Sequence, residues 1–279
     1  MSRYFRPHSL DEALRTLSSA RASILAGGTD FYPARIGPAV DEDILDITAI
    51  DELRGIRESE DGFRIGALTT WSEVAAAKLP PCFDCLKLAA REVGGRQIQN
   101  AATIAGNLCN ASPAADGVPP LLSLGAQVEL ARTDARRVLP LEQFIVGNRR
   151  TRREPGELVT AVHVPRWGAS ARSHFLKLGA RRYLVISIAM VSAVVETDAR
   201  RVITRCAFAV GSCSPVAQRL PDLERAVTNE KLDAVLPGRA RPEHLASLAP
   251  ITDVRGTAEY RADAALALVR RVLEVLVGE

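Results

Sequence analysis

The sequence AATIAGNLCNASPAADGVPPLLSL, residues 101–124, carries few large side chains before Asp116. Such a segment allows the backbone to approach a ligand closely, because little bulk stands in the way. Asn107 and Asn110 place polar groups beside Gly106, whose backbone can adopt dihedral angles that other residues avoid. These residues therefore predict a loop that forms one wall of a binding site.

A second segment of the same character lies near the start of the chain, where residues 25–30 read LAGGTD. Either segment alone has a composition that is common in ordinary turns, so it would not indicate a binding site. Two such loops, each after an apolar run, indicate two walls around a phosphate-bearing cofactor. Neither loop contains the dinucleotide motif G-x-G-x-x-G, and the chain has no P-loop motif. A dinucleotide would therefore bind through a different fold.

Together, AGGTD at 26–30 and TIAGN at 103–107 resemble the two pyrophosphate-binding loops of the FAD subunits in molybdenum hydroxylases. These enzymes include the carbon monoxide dehydrogenase-like and xanthine dehydrogenase-like proteins. The similarity extends over nearly the whole chain, from YFRP at 4–7 to DVRGTAEYR at 253–261. One departure is Ala105, where the family usually has glycine, and its methyl group slightly narrows the space for phosphate.

The resemblance implies an α+β fold with two domains. Residues 1–168 would form a two-lobed FAD-binding domain of the vanillyl-alcohol-oxidase (PCMH) type, with lobes at about 1–52 and 53–168. Residues 169–279 would form a small C-terminal domain of antiparallel sheet and helices, of the carbon monoxide dehydrogenase flavoprotein type. The two loops would face each other where the lobes meet, which is a usual place for a ligand site.

The resemblance also implies FAD-binding roles residue by residue. Backbone N–H groups of both loops would bind the pyrophosphate, since aligned N–H groups hold phosphate without a fixed positive charge. Asp116 would bond the polar part of the cofactor, or else cap a helix or turn. Lys177 would stabilise negative charge on the reduced flavin, or else be a surface lysine. The complete predicted site, with Leu158 and Val159 lining a ring of the cofactor, is Ser23, Ile24, Leu25, Ala26, Gly27, Gly28, Thr29, Asp30, Ala102, Thr103, Ala105, Gly106, Asn107, Asp116, Leu158, Val159 and Lys177.

The family's members carry electrons, so the resemblance implies that FAD in this chain collects electrons and passes them to NAD⁺, a quinone or another acceptor. Its partners would be a separate [2Fe-2S] iron–sulfur subunit and a molybdopterin-binding large subunit, assembled as a dimer of heterotrimers. We predict no catalytic residue and no metal site in this chain. Two alternatives stay open: a self-contained FAD oxidoreductase of the vanillyl-alcohol-oxidase or enolpyruvyl-reductase type, and a flavin-free assembly scaffold.

Composition is that of an ordinary globular protein, since 47% of the residues are hydrophobic and 25% are charged. The net charge of +3 is too small to indicate a nucleic-acid partner. The longest uncharged apolar run, residues 183–195, is too short to span a bilayer, and we expect a cytoplasmic location. Cys82 and Cys85 have the spacing of metal and redox sites, but we interpret them as small apolar residues at the start of a helix.

Apolar periodicity and turn residues predict the elements. Ser9 and Glu12 have the spacing of a capping box at the start of helix 10–19. The segment after Gly95 is predicted as a long loop, and the arginine-rich run 149–153 as a solvated loop, with a partner-subunit contact as the alternative. The other predicted helices are 69–77, 85–93 and 258–277, and the predicted strands are 23–26, 43–47, 157–165, 175–179, 187–197 and 202–210, with hairpins at 55–67 and 126–139.

Overall fold

The N-terminal lobe packs a helix on a small parallel sheet. The computed structural model describes residues 2–35 and 41–278, so Met1 and Glu279, the ends of the two predicted domains, lie outside it. As predicted, Ser9 caps the helix by accepting from the Glu12 N–H, and the buried Leu14 packs with Leu45 of the sheet. The elements are β1 (Tyr4–Phe5), α1 (Leu10–Ser19), β2 (Ala22–Leu25) and β3 (Asp43–Asp46), in the parallel order β1-β3-β2.

The second lobe is an antiparallel sheet with helices on one face. Phe63, Ile65 and Val162 point from the sheet into a core shared with these helices. The strands are β4 (Ile56–Ser59), β5 (Gly62–Gly66), β6 (Gln127–Arg132), β7 (Ala135–Pro140), β8 (Ile145–Gly147), β9 (Arg150–Thr151) and β10 (Leu158–Pro165). The main sheet has the order β4-β5-β10-β6-β7, and β8 and β9 form a separate hairpin. The helices are α2 (Trp71–Ala76), α3 (Asp84–Glu92), α4 (Arg96–Ala101), α5 (Ile104–Asn110), α6 (Val118–Ser123) and α7 (Leu141–Phe144).

The segment after Gly95 differs from the prediction, because most of it is helical rather than a long loop. Thr103 begins α5 as its N-cap, with its hydroxyl accepting from the Gly106 N–H at 3.1 Å. Ala111 ends this helix with a left-handed backbone at φ 48°. Helices as short as α4, α5 and α6 do not show apolar periodicity, so the sequence pattern does not reveal them.

The C-terminal sheet has both faces buried. Its strands are β11 (Arg172–Leu178), β12 (Ala189–Thr197), β13 (Ile203–Gly211) and β14 (Gln218–Arg219), in antiparallel sequence order, and α8 (Pro221–Val227) and α9 (Ala258–Gly278) follow. Val191 and Val195 of β12 pack in one core with α9, whereas Met190 and Val194 join the core of the second lobe. Residues 170–279 read as a separate unit in the sequence, but one face of their sheet packs on the second lobe.

The predicted α+β class is confirmed, since helices accompany one parallel and several antiparallel sheets. The predicted hairpins at 55–67 and 126–139 are confirmed as the pairs β4–β5 and β6–β7. Within residues 2–35 and 41–278, no helix combines the length and the apolar character needed to cross a membrane.

Candidate functional site

An open cavity of about 720 Å³ lies where the two N-terminal lobes meet. Residues of the loop after β2, the start of α5, strand β10 and the β8–β9 hairpin form its walls. The two predicted loops touch each other here, because a Cβ atom on Gly27 would lie only 2.0 Å from the carbonyl oxygen of Ala101. A cavity of this size is in the range that holds small-molecule cofactors.

Most residues of the predicted FAD site line this cavity. Leu25 does not, because its side chain is buried beside the loop. Ala105 lies within α5 and has ordinary helical backbone, so its methyl group requires no unusual conformation. The predicted residues in the wall are Ser23, Ile24, Ala26, Gly27, Gly28, Thr29, Asp30, Ala102, Thr103, Ala105, Gly106, Asn107, Leu158 and Val159.

The two loops differ in the backbone donors that they offer to a ligand. The N–H groups of Gly27, Gly28 and Thr29 have no acceptor among residues 2–35 and 41–278. In the second loop, by contrast, the Ala105 N–H donates to Ala67 O at 3.3 Å and the Gly106 N–H donates to the Thr103 hydroxyl. The expectation of phosphate-binding N–H groups therefore fits the first loop and Thr103, whose N–H also has no acceptor among the described residues, whereas Ala105 and Gly106 use their donors within the protein.

Positive charge reaches the cavity from the β8–β9 hairpin and the loop after it. Arg149 has a left-handed backbone at φ 54°, and its guanidinium donates to Asn110 Oδ1 at 2.6 Å. Arg150 and Thr151 form strand β9 rather than loop. Arg149 and Arg153 are exposed, which agrees with the interpretation of residues 149–153 as solvated, but both also line the cavity. Their distance in sequence from both loops hides this role, since only folding brings them to the wall. The arginines that line the cavity are Arg21, Arg35, Arg149 and Arg153.

Trp71 is a second wall residue that sequence reasoning does not identify. This first residue of α2 is fully buried and lines the cavity. Its indole N–H has no hydrogen-bond acceptor in the described part of the chain. An unsatisfied buried donor costs roughly 1–3 kcal/mol. The nitrogen is closed to solvent, so an acceptor on a bound molecule would reach it only after the wall moves.

Asp116 and Lys177 form a buried ion pair, 2.8 Å apart, behind the cavity wall. The Gly117 N–H, next to Asp116, donates to Oδ1 of the wall residue Asn107 at 3.3 Å, which links the pair to the cavity. Burial raises the pKa of Asp116 from 3.8 to about 6, although Lys177 and the Ser187 hydroxyl act to lower it. Lys177 is thus not a surface lysine, and its ammonium faces a carboxylate.

Cys82 and Cys85 are buried where α3 begins, which confirms their interpretation as small apolar residues. Burial raises the pKa of the Cys82 thiol to about 12, so this thiol stays protonated and unreactive at neutral pH. Within residues 2–35 and 41–278, no three His, Cys, Asp or Glu side chains group closely enough to hold a metal ion.

The two-lobed fold and its cavity define a nucleotide-cofactor domain without the phosphate-binding motifs of the Rossmann and P-loop classes. Residues 1–167 match the family described as the FAD binding domain in molybdopterin dehydrogenase. Residues 174–276 match the CO dehydrogenase flavoprotein C-terminal domain. The chain therefore belongs to the family of FAD-binding flavoprotein subunits of molybdopterin dehydrogenases. Its cofactor is FAD, and it is an oxidoreductase subunit.

Individual relatives agree with this assignment. The nicotinate dehydrogenase FAD-subunit of Eubacterium barkeri is 31% identical over 87% of this chain and 89% of its own length. The carbon monoxide dehydrogenase medium chain of Hydrogenophaga pseudoflava is 28% identical over 97% and 95%. A chain of reconstituted CO dehydrogenase from Oligotropha carboxidovorans superposes with a TM-score of 0.92 at 26% identity, over 100% of this chain and 98% of that chain. The resemblance and the fold class predicted from the sequence are confirmed.

Proposed function

We propose that this chain is the FAD-carrying electron-transfer subunit of a multi-subunit molybdenum hydroxylase. A separate [2Fe-2S] subunit delivers electrons to it, and a molybdopterin-binding large subunit oxidises the organic substrate. The complete assembly is a dimer of heterotrimers, and the final acceptor is NAD⁺, a quinone or another carrier. The names of the relatives, which include an FAD-subunit and a medium chain of dehydrogenases, support this proposal.

The cavity is the single observation that carries the FAD part of the proposal. Its walls include the N–H groups of Gly27, Gly28 and Thr29, which have no acceptor in the described part of the chain, and the guanidinium of Arg149. Such donors suit the two negative charges of a pyrophosphate. The apolar side chains of Leu158 and Val159 complete a wall that suits a ring. The cofactor supplies two-electron chemistry when bound, and this chain binds and orients it.

Asp116 and Lys177 belong to the proposed site as positioning residues rather than as direct ligands. Their ion pair joins the segment before α6 to strand β11. The adjoining Gly117 N–H bonds the wall residue Asn107. Loss of either charge should therefore disturb the wall through its neighbours.

The test begins with the visible spectrum of the purified chain, followed by acid precipitation. We expect a flavin spectrum, with free FAD in the supernatant, because the proposed binding is non-covalent. Co-expression with an iron–sulfur subunit and a molybdenum subunit should then yield one complex on size-exclusion chromatography. Yellow protein that oxidises an organic substrate alone would favour an independent flavoenzyme, and colourless protein that still assembles would favour a scaffold.

We also propose a cytoplasmic location for the complex. All five cysteines are free thiols, which is usual for proteins of reducing compartments. Cell fractionation with an antibody to the chain tests this location, and recovery in a secreted fraction would contradict it.

A further inference from the structure

Large exposed apolar side chains concentrate in two segments of the C-terminal part. Val254 is 97% exposed and Tyr260 is 48% exposed in the segment that leads into α9. Leu184 and Ile186 are more than half exposed in the loop between β11 and β12. Several large exposed apolar side chains in neighbouring segments mark an interaction site more often than scattered single residues do. We define the apolar strip as Ile98, Tyr183, Leu184, Ile186, Val254 and Tyr260.

The two segments are neighbours in space and begin at the edge of the cavity. Arg261 donates to Ile188 O at 2.6 Å, which fixes the end of the β11–β12 loop against the start of α9. At the other end, Leu184 Cδ2 lies 3.3 Å from the position of a Cβ on Gly95, beside α4. Ile98 of α4 is itself part of the cavity wall. The apolar strip therefore leads from the cavity edge along the β11–β12 loop to the start of α9.

The loop holds these side chains outward by specific contacts. Leu184 has a left-handed backbone at φ 52°, which is uncommon for a bulky residue. The Arg181 side chain donates to Leu184 O through Nε at 3.0 Å and through a second nitrogen. A strained residue held by neighbouring groups indicates a constraint other than packing alone. The exposed position of Leu184 is therefore built into the loop.

Arginines surround the cavity end of the apolar strip. Arg96 begins α4 beside Gly95, and Arg91, whose carbonyl accepts from Gln99 of α4, lies in the last turn of α3. Arg181 and Arg182 precede Tyr183 in the β11–β12 loop. Glu92 lines the same pocket as Arg181 and Arg182, so the arginines outnumber the acidic groups there rather than stand alone. In the described part of the chain, none of these guanidinium groups forms an ion pair with a carboxylate. An apolar surface with a basic rim is complementary to a partner with an apolar centre and an acidic rim.

We propose that the apolar strip is the docking face for the iron–sulfur protein that delivers electrons to this chain. This inference rests on the proposed function, because electron transfer requires the donor to bind close to the cofactor cavity, where the strip begins. The basic rim selects a donor with acidic side chains around its contact face. A second copy of this chain fits less well, because a symmetric contact would bring the two arginine clusters together.

The test uses the co-expressed three-subunit complex. Ile186→Asp and Val254→Asp place a charge in the strip, whereas Val138→Asp and Val235→Asp place one at matched exposed sites outside it. We expect the strip variants to retain about tenfold less iron–sulfur subunit, with unchanged flavin content and thermal midpoint, and the controls to behave as wild type. Arg181→Glu with Arg182→Glu should weaken the complex and reduce its sensitivity to salt.

The outcomes separate this inference from the function on which it rests. Wild-type chain that binds FAD but never assembles with an iron–sulfur subunit would contradict the proposed function. If the wild-type complex forms and every variant holds the iron–sulfur subunit as strongly as wild type does, the docking face alone would be contradicted. Strip variants that lose self-association, or binding to vesicles of anionic lipid, while keeping the iron–sulfur subunit would assign the strip to a different occupant and overturn the inference.

Discussion

Gly27 and Gly28 are adjacent, but their missing side chains matter for different reasons. A Cβ on Gly27 would collide with the backbone of Ala101 and Ala102, so this glycine allows the two loops to touch. The atoms nearest to a Cβ on Gly28 would be in Leu25 and Tyr32, at 3.5 Å or more, but Gly28 has a left-handed backbone at φ 71°. Gly27 therefore shapes the cavity, whereas Gly28 shapes the turn.

Gly27→Ala should abolish FAD binding, because the first loop must move away from Ala101 to accommodate the methyl group. Gly28→Ala is the matched control, and it should lose only about 1 kcal/mol of stability from its backbone conformation. Flavin absorbance per chain after purification measures the binding, and urea unfolding measures the stability. Equal flavin content in the two variants would show that close contact between the loops is not needed for binding.

Trp71→Phe should weaken FAD binding by up to about tenfold, because one hydrogen bond contributes roughly 0.5–1.5 kcal/mol. The cofactor-free variant should lose some stability, because the smaller ring leaves space at a fully buried position, although it also removes a buried donor that has no acceptor among the described residues. Calorimetric titration of FAD and thermal unfolding of the apoprotein check both parts. Unchanged affinity together with lower stability would mean that Trp71 serves only the core.

Asp116 should make the free energy of unfolding fall as pH rises from its ordinary pKa of 3.8 through about 6. Burial raises this pKa, so the native state binds the proton more tightly than the unfolded state does. The stabilisation is complete below the lower value and is lost above the higher one, and it amounts to roughly 3 kcal/mol. The difference between the pH profiles of wild type and Asp116→Asn isolates this group. Identical pH profiles would contradict the assignment.

At the scale of elements, the β8–β9 hairpin brings positive charge to the cavity, because the AGGTD and TIAGN loops contain no lysine or arginine. A backbone hydrogen bond attaches the hairpin to the end of α5: the Arg149 N–H donates to Ala111 O at 2.9 Å. The guanidinium of Arg149 also bonds Asn110 of the same helix. The hairpin and α5 therefore act as one unit.

Arg149→Ala combined with Arg153→Ala should weaken FAD binding about tenfold, which corresponds to ~1.4 kcal/mol. It should hardly affect riboflavin, which lacks phosphate. Arg150→Ala combined with Arg152→Ala is the matched control on the same segment, because these side chains do not belong to the cavity wall in the described structure. Fluorescence titration at several salt concentrations measures the affinities. Equal losses for FAD and riboflavin would indicate a structural role instead.

At the scale of the whole molecule, the C-terminal sheet completes the core of the second lobe. Helices α3 and α6 pack on β11, β12 and β13, and Phe83 and Leu86 are fully buried in this shared core. Ser123 of α6 and Ser192 of β12 form a buried hydrogen bond of 2.7 Å across the same contact. The C-terminal part therefore covers a core face of the lobe that forms one side of the cavity.

A chain that ends at residue 168 should fail to form a cooperative folded state, because it would expose this core face to water. We expect binding of a hydrophobic dye, aggregation on size-exclusion chromatography and no flavin. The full-length chain should instead unfold in one cooperative transition that FAD shifts upward. A truncated chain with a sharp thermal transition and bound FAD would show that the two parts fold independently.

Local residue patterns are sufficient to predict most of the helices and strands of this protein. The cap at Ser9, the turns of the β4–β5 and β6–β7 hairpins and the alternation in β10 are set by neighbours in sequence, so they can be predicted. Helix α5 could not be predicted, because its seven residues, about two turns, carry too little periodicity. The AGGTD and TIAGN loops could be assigned to the cavity because their small residues are a local property.

The remaining features of the site depend on contacts between residues far apart in the chain. Arg149 joins the wall beside Gly27 only after the hairpin packs on α5, and the burial of Asp116 against Lys177 requires β11 to lie behind the wall. Whether the Ala105 N–H of the second loop is free for a ligand also depends on tertiary structure, because Ala67 O accepts its hydrogen bond. Small residues and turns act through local backbone sterics, whereas charge placement, pKa and free donors depend on the packed environment that only the tertiary structure creates.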